Sequence, residues 1–173
     1  MYLETCKIKK YLKQEKLLVQ NAFVLNNLVE HLKSKGMLPA ICFVFSRKMV
    51  EKYASLIEKS VVSDDDCKFQ ESIDNECFNI LKKLPNYQEY LQLPEYQFVL
   101  GLLRKGIAIH HSGVAPILRE MVELLFSKGY IKLLFATETF AVGINMPTKT
   151  VIFTDFTKYD GSDNRILRSP EYT

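Results

Sequence analysis

The sequence has no tryptophan, only seven glycines and six prolines in 173 residues, and a formal net charge of just +3. So few chain breakers exclude a collagen-like or low-complexity chain. So small a positive balance neither requires nor rejects a polyanionic partner, because mild basicity is common. No apolar run approaches the roughly 20 residues that span a bilayer. The lysine-studded start, Met1 to Lys16, lacks the apolar core of a secretory signal. An intracellular, soluble protein without a membrane partner is therefore expected. The four cysteines, Cys6, Cys42, Cys67 and Cys77, form no CxxC pair and have no zinc-ligand spacing. Reduced thiols are expected, with Cys42 serving as a small hydrophobe inside an apolar run.

What is present is a globular composition, 47% hydrophobic and 25% charged, long enough to bury a real core as one domain spanning residues 1–173. Lysines 7, 9, 10, 13 and 16 read as a solvated basic extension over residues 1–16. Leu18, Ala22, Leu25, Val29 and Leu32 step by three and four residues and predict an amphipathic helix closed by Gly36. Ala40 to Phe45 is continuous and apolar, the pattern of a strand buried on both faces. Ser46 is placed to cap the next helix, with Met49, Val50, Tyr53, Ala54 and Ile57 inward. Residues 61–93 read as a loop and helical insert: a surface loop from Val61 to Glu71, then a helix from about Ile73 to Leu84. The run Asp64-Asp65-Asp66 lacks the rest of a calcium loop and reads as solvated. A helix from Pro94 to Lys105 follows, with proline in its first turn.

Beyond Gly106 the pattern becomes regular. Ile107 to Ile109 is a strand, Pro116 to Lys128 a helix with Ile117, Met121, Leu124 and Leu125 inward, and Ile131 to Ala136 and Thr150 to Phe153 are two more strands. Alternation of this kind predicts an α/β fold, a parallel sheet with helices on both faces. In such sheets ligands bind beyond the carboxyl ends of the strands. The loops there are Ser46-Arg47-Lys48, His110-His111-Ser112-Gly113 and the segment from Thr137-Glu138-Thr139 onward, and they should share one edge of the sheet.

Two of these loops carry recognisable chemistry. His110 and His111 leave a strand on opposite sides and make a poor chelating pair. Ser112 has neither a GxSxG setting nor an evident base partner. What the segment offers is a tight turn with free backbone N–H groups at a helix start, which suits a phosphate; the alternative is that Ser112 simply caps the helix. The run Phe135-Ala136-Thr137-Glu138-Thr139-Phe140-Ala141-Val142-Gly143-Ile144-Asn145-Met146-Pro147 feeds a strand into a polar turn. Its hydroxyls and amides are typical phosphate ligands, although an ordinary crossover loop would look much the same.

The order Phe43-Val44-Phe45-Ser46-Arg47, then His110-His111-Ser112-Gly113, then Ala136 to Pro147 resembles motifs IV, IVa and V of superfamily 2 helicases. The branch it is most similar to is the superkiller-type group, which includes exosome-associated RNA helicases. Lys149-Thr150-Val151-Ile152-Phe153 and Lys158-Tyr159-Asp160-Gly161 fit the same branch, and the likeness covers roughly Pro39 to Thr173. The resemblance implies a RecA-like second motor domain of an ATP-dependent RNA helicase. Ser46 and Arg47 would lie near the nucleic-acid backbone. His111, Ser112 and Gly113 would lie against the bound strand, and Thr137 would bind one of its phosphates. Glu138 would order the motif V loop, with Gly143 and Asn145 at the nucleotide cleft. A DNA helicase of the same superfamily and a non-catalytic RecA-like module are the alternatives.

The sequence has no GxxxxGK[ST] phosphate loop and no DExH box. ATP and Mg2+ are therefore expected to be held mainly by a first RecA-like domain of the same parent. The family's glycine-arginine segment would begin about where Ser169 to Thr173 lies. Arg165 and Arg168 sit in what reads as a polar loop without that motif around them. The expectation is a fragment ending before the last helicase motif and inert in ATP hydrolysis alone.

Overall fold

A computed structural model describes residues 21–62, 66–140, 146–155, 157–159 and 164–166. In chain order these form α1 (Asn21–Ser34), β1 (Ala40–Phe43), α2 (Arg47–Ser55), α3 (Asp66–Leu81), α4 (Tyr87–Gln92), α5 (Pro94–Leu103), β2 (Ile107–His110), α6 (Pro116–Ser127), β3 (Leu133–Ala136), β4 (Thr150–Phe153), β5 (Thr157–Tyr159) and β6 (Asn164–Ile166). Four strands make a parallel sheet in the order β2-β3-β1-β4. Its register aligns His110, Ala136, Phe43 and Phe153 at one end.

The pattern of apolar residues explains the sheet. Every residue of β2 and β3 is buried, as are Ala40, Ile41 and Cys42 of β1. Strands buried on both faces need helices on both sides, and the α/β architecture follows. Cys42 is a packed hydrophobe, its thiol pushed up to about 12 by burial. α6 buries Leu118, Met121, Val122, Leu125 and Phe126. It ends at Gly129, whose φ of 81° lets Tyr130 N–H reach Leu125 O at 3.0 Å and Gly129 N–H reach Phe126 O at 2.9 Å.

Several sequence expectations are corrected. Residues 66–71 are not loop: α3 begins at Asp66, and the whole helix is held because Ile73, Cys77 and Leu81 enter the common core. The Asp64-Asp65 part of the acidic run lies outside the described residues. α4 was not expected; it is only six residues long, and its Tyr87, Tyr90 and Leu91 pack against the core without being fully buried. Leu124 faces outward at 40% exposure, while Leu118, Val122 and Phe126 take the inward positions around it. Ser46 stands at the N-cap of α2, but its hydroxyl makes no cap bond. Arg165 is on β6, paired across an antiparallel hairpin with Lys158, rather than in a loop. Residues 1–16, Arg168 and Ser169 to Thr173 lie outside the described residues.

Candidate nucleic-acid and nucleotide interface

Parallel register brings the three suspected loops to one edge. Val44 N–H donates to Ala136 O at 2.8 Å, and Thr137 N–H donates to His110 O at 3.1 Å, so the chain leaves β1, β2 and β3 in step. From β1 the chain turns into α2, presenting Ser46 and Arg47 as exposed residues. Ser46 O accepts Met49 and Val50 N–H, at 3.0 and 2.9 Å. Its free hydroxyl, the adjacent guanidinium and the positive end of α2 together favour an anion.

The loop after β2 divides into a buried and an exposed half. His111 is only 2% exposed. Its Nδ1 accepts the Gly113 N–H at 3.1 Å, so the proton of the neutral ring sits on Nε2. That Nε2 lies 3.1 Å from Glu51 Oε1 without the alignment of a hydrogen bond. His111 thus ties the turn to α2 and is enclosed, whereas Ser112 and Gly113 face outward. A Cβ at Gly113 would meet His111 Nδ1 at 3.0 Å, Cε1 at 3.1 Å and Arg47 Cδ at 3.6 Å. Gly113 is therefore required for close approach, and it brings the first two loops into contact.

The expectation of a turn with free N–H groups fails at three of its amides. Gly113 N–H is taken by His111 Nδ1, Val114 N–H by His111 O at 3.0 Å, and Ala115 N–H by Glu95 Oε1 at 3.0 Å. Nor does Ser112 cap α6; the N-cap is Ala115. Those three amides serve the turn, and Ser112 remains exposed to a ligand.

The third loop is closed by Phe140 N–H donating to Thr137 O at 3.0 Å. Thr137 is 5% exposed, and its Oγ1 lies 2.8 Å from Thr139 Oγ1. Either hydroxyl can donate within the pair, which leaves the proton of the other free to be donated to a phosphate oxygen. Glu138 and Thr139 are exposed. Gly143 and Asn145 lie outside the described residues. Among the described residues no group of three or more His, Cys, Asp or Glu side chains could hold a metal ion.

Sequence reasoning overlooked the supports of these loops. Glu51 sits one helical turn beyond Arg47, a spacing that could have flagged it. Glu95 and Glu123 reach the site from other elements and left no local signal. Glu123 Oε1 meets His110 Nε2 at 2.7 Å, and the His110 ring meets Phe140 edge-on at 4.7 Å between centroids. Desolvation by burial holds His110 below the usual histidine range, outweighing the opposite pull of Glu123.

No known protein-family profile matches the chain. Individual relatives do. It is 45% identical over 146 residues to the exosome RNA helicase MTR4 of Mus musculus, covering 84% of this chain and 14% of that protein. It is 43% identical over 147 residues to the antiviral helicase SKI2 of Saccharomyces cerevisiae, covering 84% of this chain and 11% of that protein. Superkiller complex protein 2 of Mus musculus matches at 41% over 155 residues, 88% of this chain and 12% of the relative. The chain thus spans a small part of the curated relatives it matches. Over that part, shared sequence, motif order and the parallel sheet make it a member of the superkiller-type branch of superfamily 2 helicases, as an α/β domain of RecA-like kind.

Proposed function

We propose that this chain is the second motor domain of an ATP-dependent RNA helicase, gripping one strand by its backbone at the carboxyl edge of the sheet. The observation that carries the reading is the meeting of three loops there. Arg47 Cδ lies against Gly113, and Thr137 N–H is bonded to His110 O. Exposed Ser46, Arg47, Ser112 and Thr139, with Thr137 just beneath, offer hydroxyls and a cation, which suit phosphate and ribose rather than base edges. Backbone contacts carry no sequence information, as a translocating motor requires. His111 acts here as the buried brace of the grip. By the family resemblance, Glu138 is assigned to ordering the motif V loop, and Gly143 and Asn145 to the nucleotide cleft.

The sequence carries neither a GxxxxGK[ST] phosphate loop nor a DExH box. We assign the binding of ATP and magnesium mainly to a first RecA-like domain of the parent, which supplies phosphate activation when nucleotide is bound. This chain closes the cleft and links it to the strand through motif V. The parent would act in an intracellular, reducing compartment, in keeping with free Cys42, Cys67 and Cys77; no helix among the described residues is long and apolar enough to cross a membrane.

The test is ATP turnover by the intact parent with and without single-stranded RNA, beside this fragment. Stimulation by RNA in the parent and no turnover in the fragment are expected. Thr137→Ala should reduce RNA-stimulated turnover more than basal turnover. Equal stimulation by single-stranded DNA would reassign the substrate, since ribose 2′-hydroxyls would then not matter. A parent inert with both would withdraw the enzyme reading.

A further inference from the structure

We infer that His110 is a positioning residue for the strand-binding turn, acting through Phe140 rather than by touching the ligand. The inference rests on the helicase reading above. His110 is 3% exposed, so its ring cannot meet a nucleic acid directly. Yet it makes three contacts, two with the turn after β3 and one with α6. Its carbonyl accepts Thr137 N–H at 3.1 Å. Its ring packs edge-on against Phe140, 4.7 Å away at an interplanar angle of 69°. Its Nε2 is fixed to Glu123 Oε1 of α6 at 2.7 Å.

Phe140 is the residue that closes the turn, through its N–H to Thr137 O. It is itself 3% exposed, so its ring position is set by what it packs against. The consequence is a short mechanical chain: Glu123 orients the imidazole, the imidazole orients Phe140, and Phe140 sets the Thr137–Thr139 hydroxyl pair. A carboxylate partner fixes the proton of the neutral ring on Nε2. Nδ1 is then a bare lone pair, buried and without a hydrogen-bond partner among the described residues. That arrangement tolerates the neutral ring only, because a second proton on Nδ1 would have no acceptor.

The groups facing His110 are Glu123 and Arg119 from α6 and His111 beside it; Arg119 and His111 oppose its protonation, while Glu123 favours it. Desolvation is the largest influence, and it too favours the neutral ring. The turn is therefore held by an uncharged, singly oriented imidazole.

The experiment uses the intact parent carrying His110→Ala, His110→Gln, Phe140→Ala and the His110→Ala/Phe140→Ala pair. Single-stranded RNA binding is read by fluorescence anisotropy, and ATP turnover is read against RNA concentration. His110→Ala should raise the RNA concentration for half-maximal stimulation about tenfold, the scale of a lost edge-to-face aromatic pair. Turnover at saturating RNA should fall far less. His110→Gln, which keeps a donor near Nε2, should recover part of the affinity. The two single losses should be strongly non-additive in the double variant, because they break one chain. Additive losses would overturn the inference, as would a folded His110→Ala protein with unchanged RNA dependence. An equal fall in affinity and saturated turnover that tracks lost thermal stability would also overturn it, leaving a merely structural role. If the unsubstituted parent neither binds nor responds to RNA, it is the helicase reading that fails.

Discussion

At the scale of single residues, the two adjacent histidines do different work because a strand sends neighbours to opposite faces. His110 faces α6 and Phe140, and His111 faces α2 and its own turn. The sequence could exclude them as a chelating pair but not say which was enclosed; both are. The burial of His110 has a consequence for stability. Its folded-state affinity for protons is below that of the unfolded chain, so the stability it contributes is complete above the ordinary histidine range. That contribution is lost as pH falls from there through the lower folded value. Denaturant unfolding at about pH 7.5 and about pH 5 should therefore show the margin of the unsubstituted protein over His110→Gln narrowing in acid. A margin independent of pH would show that the ring titrates alike in both states.

At the scale of elements, turns were the most legible and the insert the least. Gly36, Gly106 and Gly129 follow α1, α5 and α6, each at positive φ, and each could be read as a stop signal. Their environments differ in a way no sequence shows. A Cβ at Gly129 meets nothing within 4 Å, whereas one at Gly106 meets Val62 Cγ2 at 2.5 Å and Val61 Cγ2 at 3.1 Å. Gly129→Ala should cost about 1–2 kcal/mol, the left-handed strain alone. Gly106→Ala should cost clearly more, because it adds a clash on a packed surface. Thermal unfolding of the two variants decides it; equal costs would mean that the 61–62 segment gives way freely. The same contact explains why residues after α2 were misjudged. Val61 N–H is bonded to Lys105 O at 2.9 Å, and α3 follows with Ile73, Cys77 and Leu81 in the core. Polar residues at the start of α3 masked a helix whose stability comes from tertiary burial rather than local propensity.

At the scale of the whole molecule, the placement of charge matters more than its total. A net charge of +3 says little, but exposed Arg47 stands where three loops converge. If the edge grips a backbone, RNA affinity of the parent should fall with salt through counterion release, and Arg47→Ala should reduce the steepness by about one unit of log–log slope. Weaker binding with an unchanged slope would place the Arg47 side chain away from the phosphates.

Alternation of apolar strands with amphipathic helices was enough to determine the α/β class, because doubly buried strands and one-sided helices have few ways to pack. Motif order added the family, and the carboxyl-end rule named the edge on which Ser46, Ser112 and Thr137 would meet. Tertiary structure alone decided which members of that edge face outward. His111 is enclosed because Gly113 N–H and Glu51 bracket its ring, and the Ala115 amide is occupied because Glu95 arrives from α5. Those partners are separated along the chain by anything from two residues to sixty, and local periodicity carries no record of contacts made across a folded sheet.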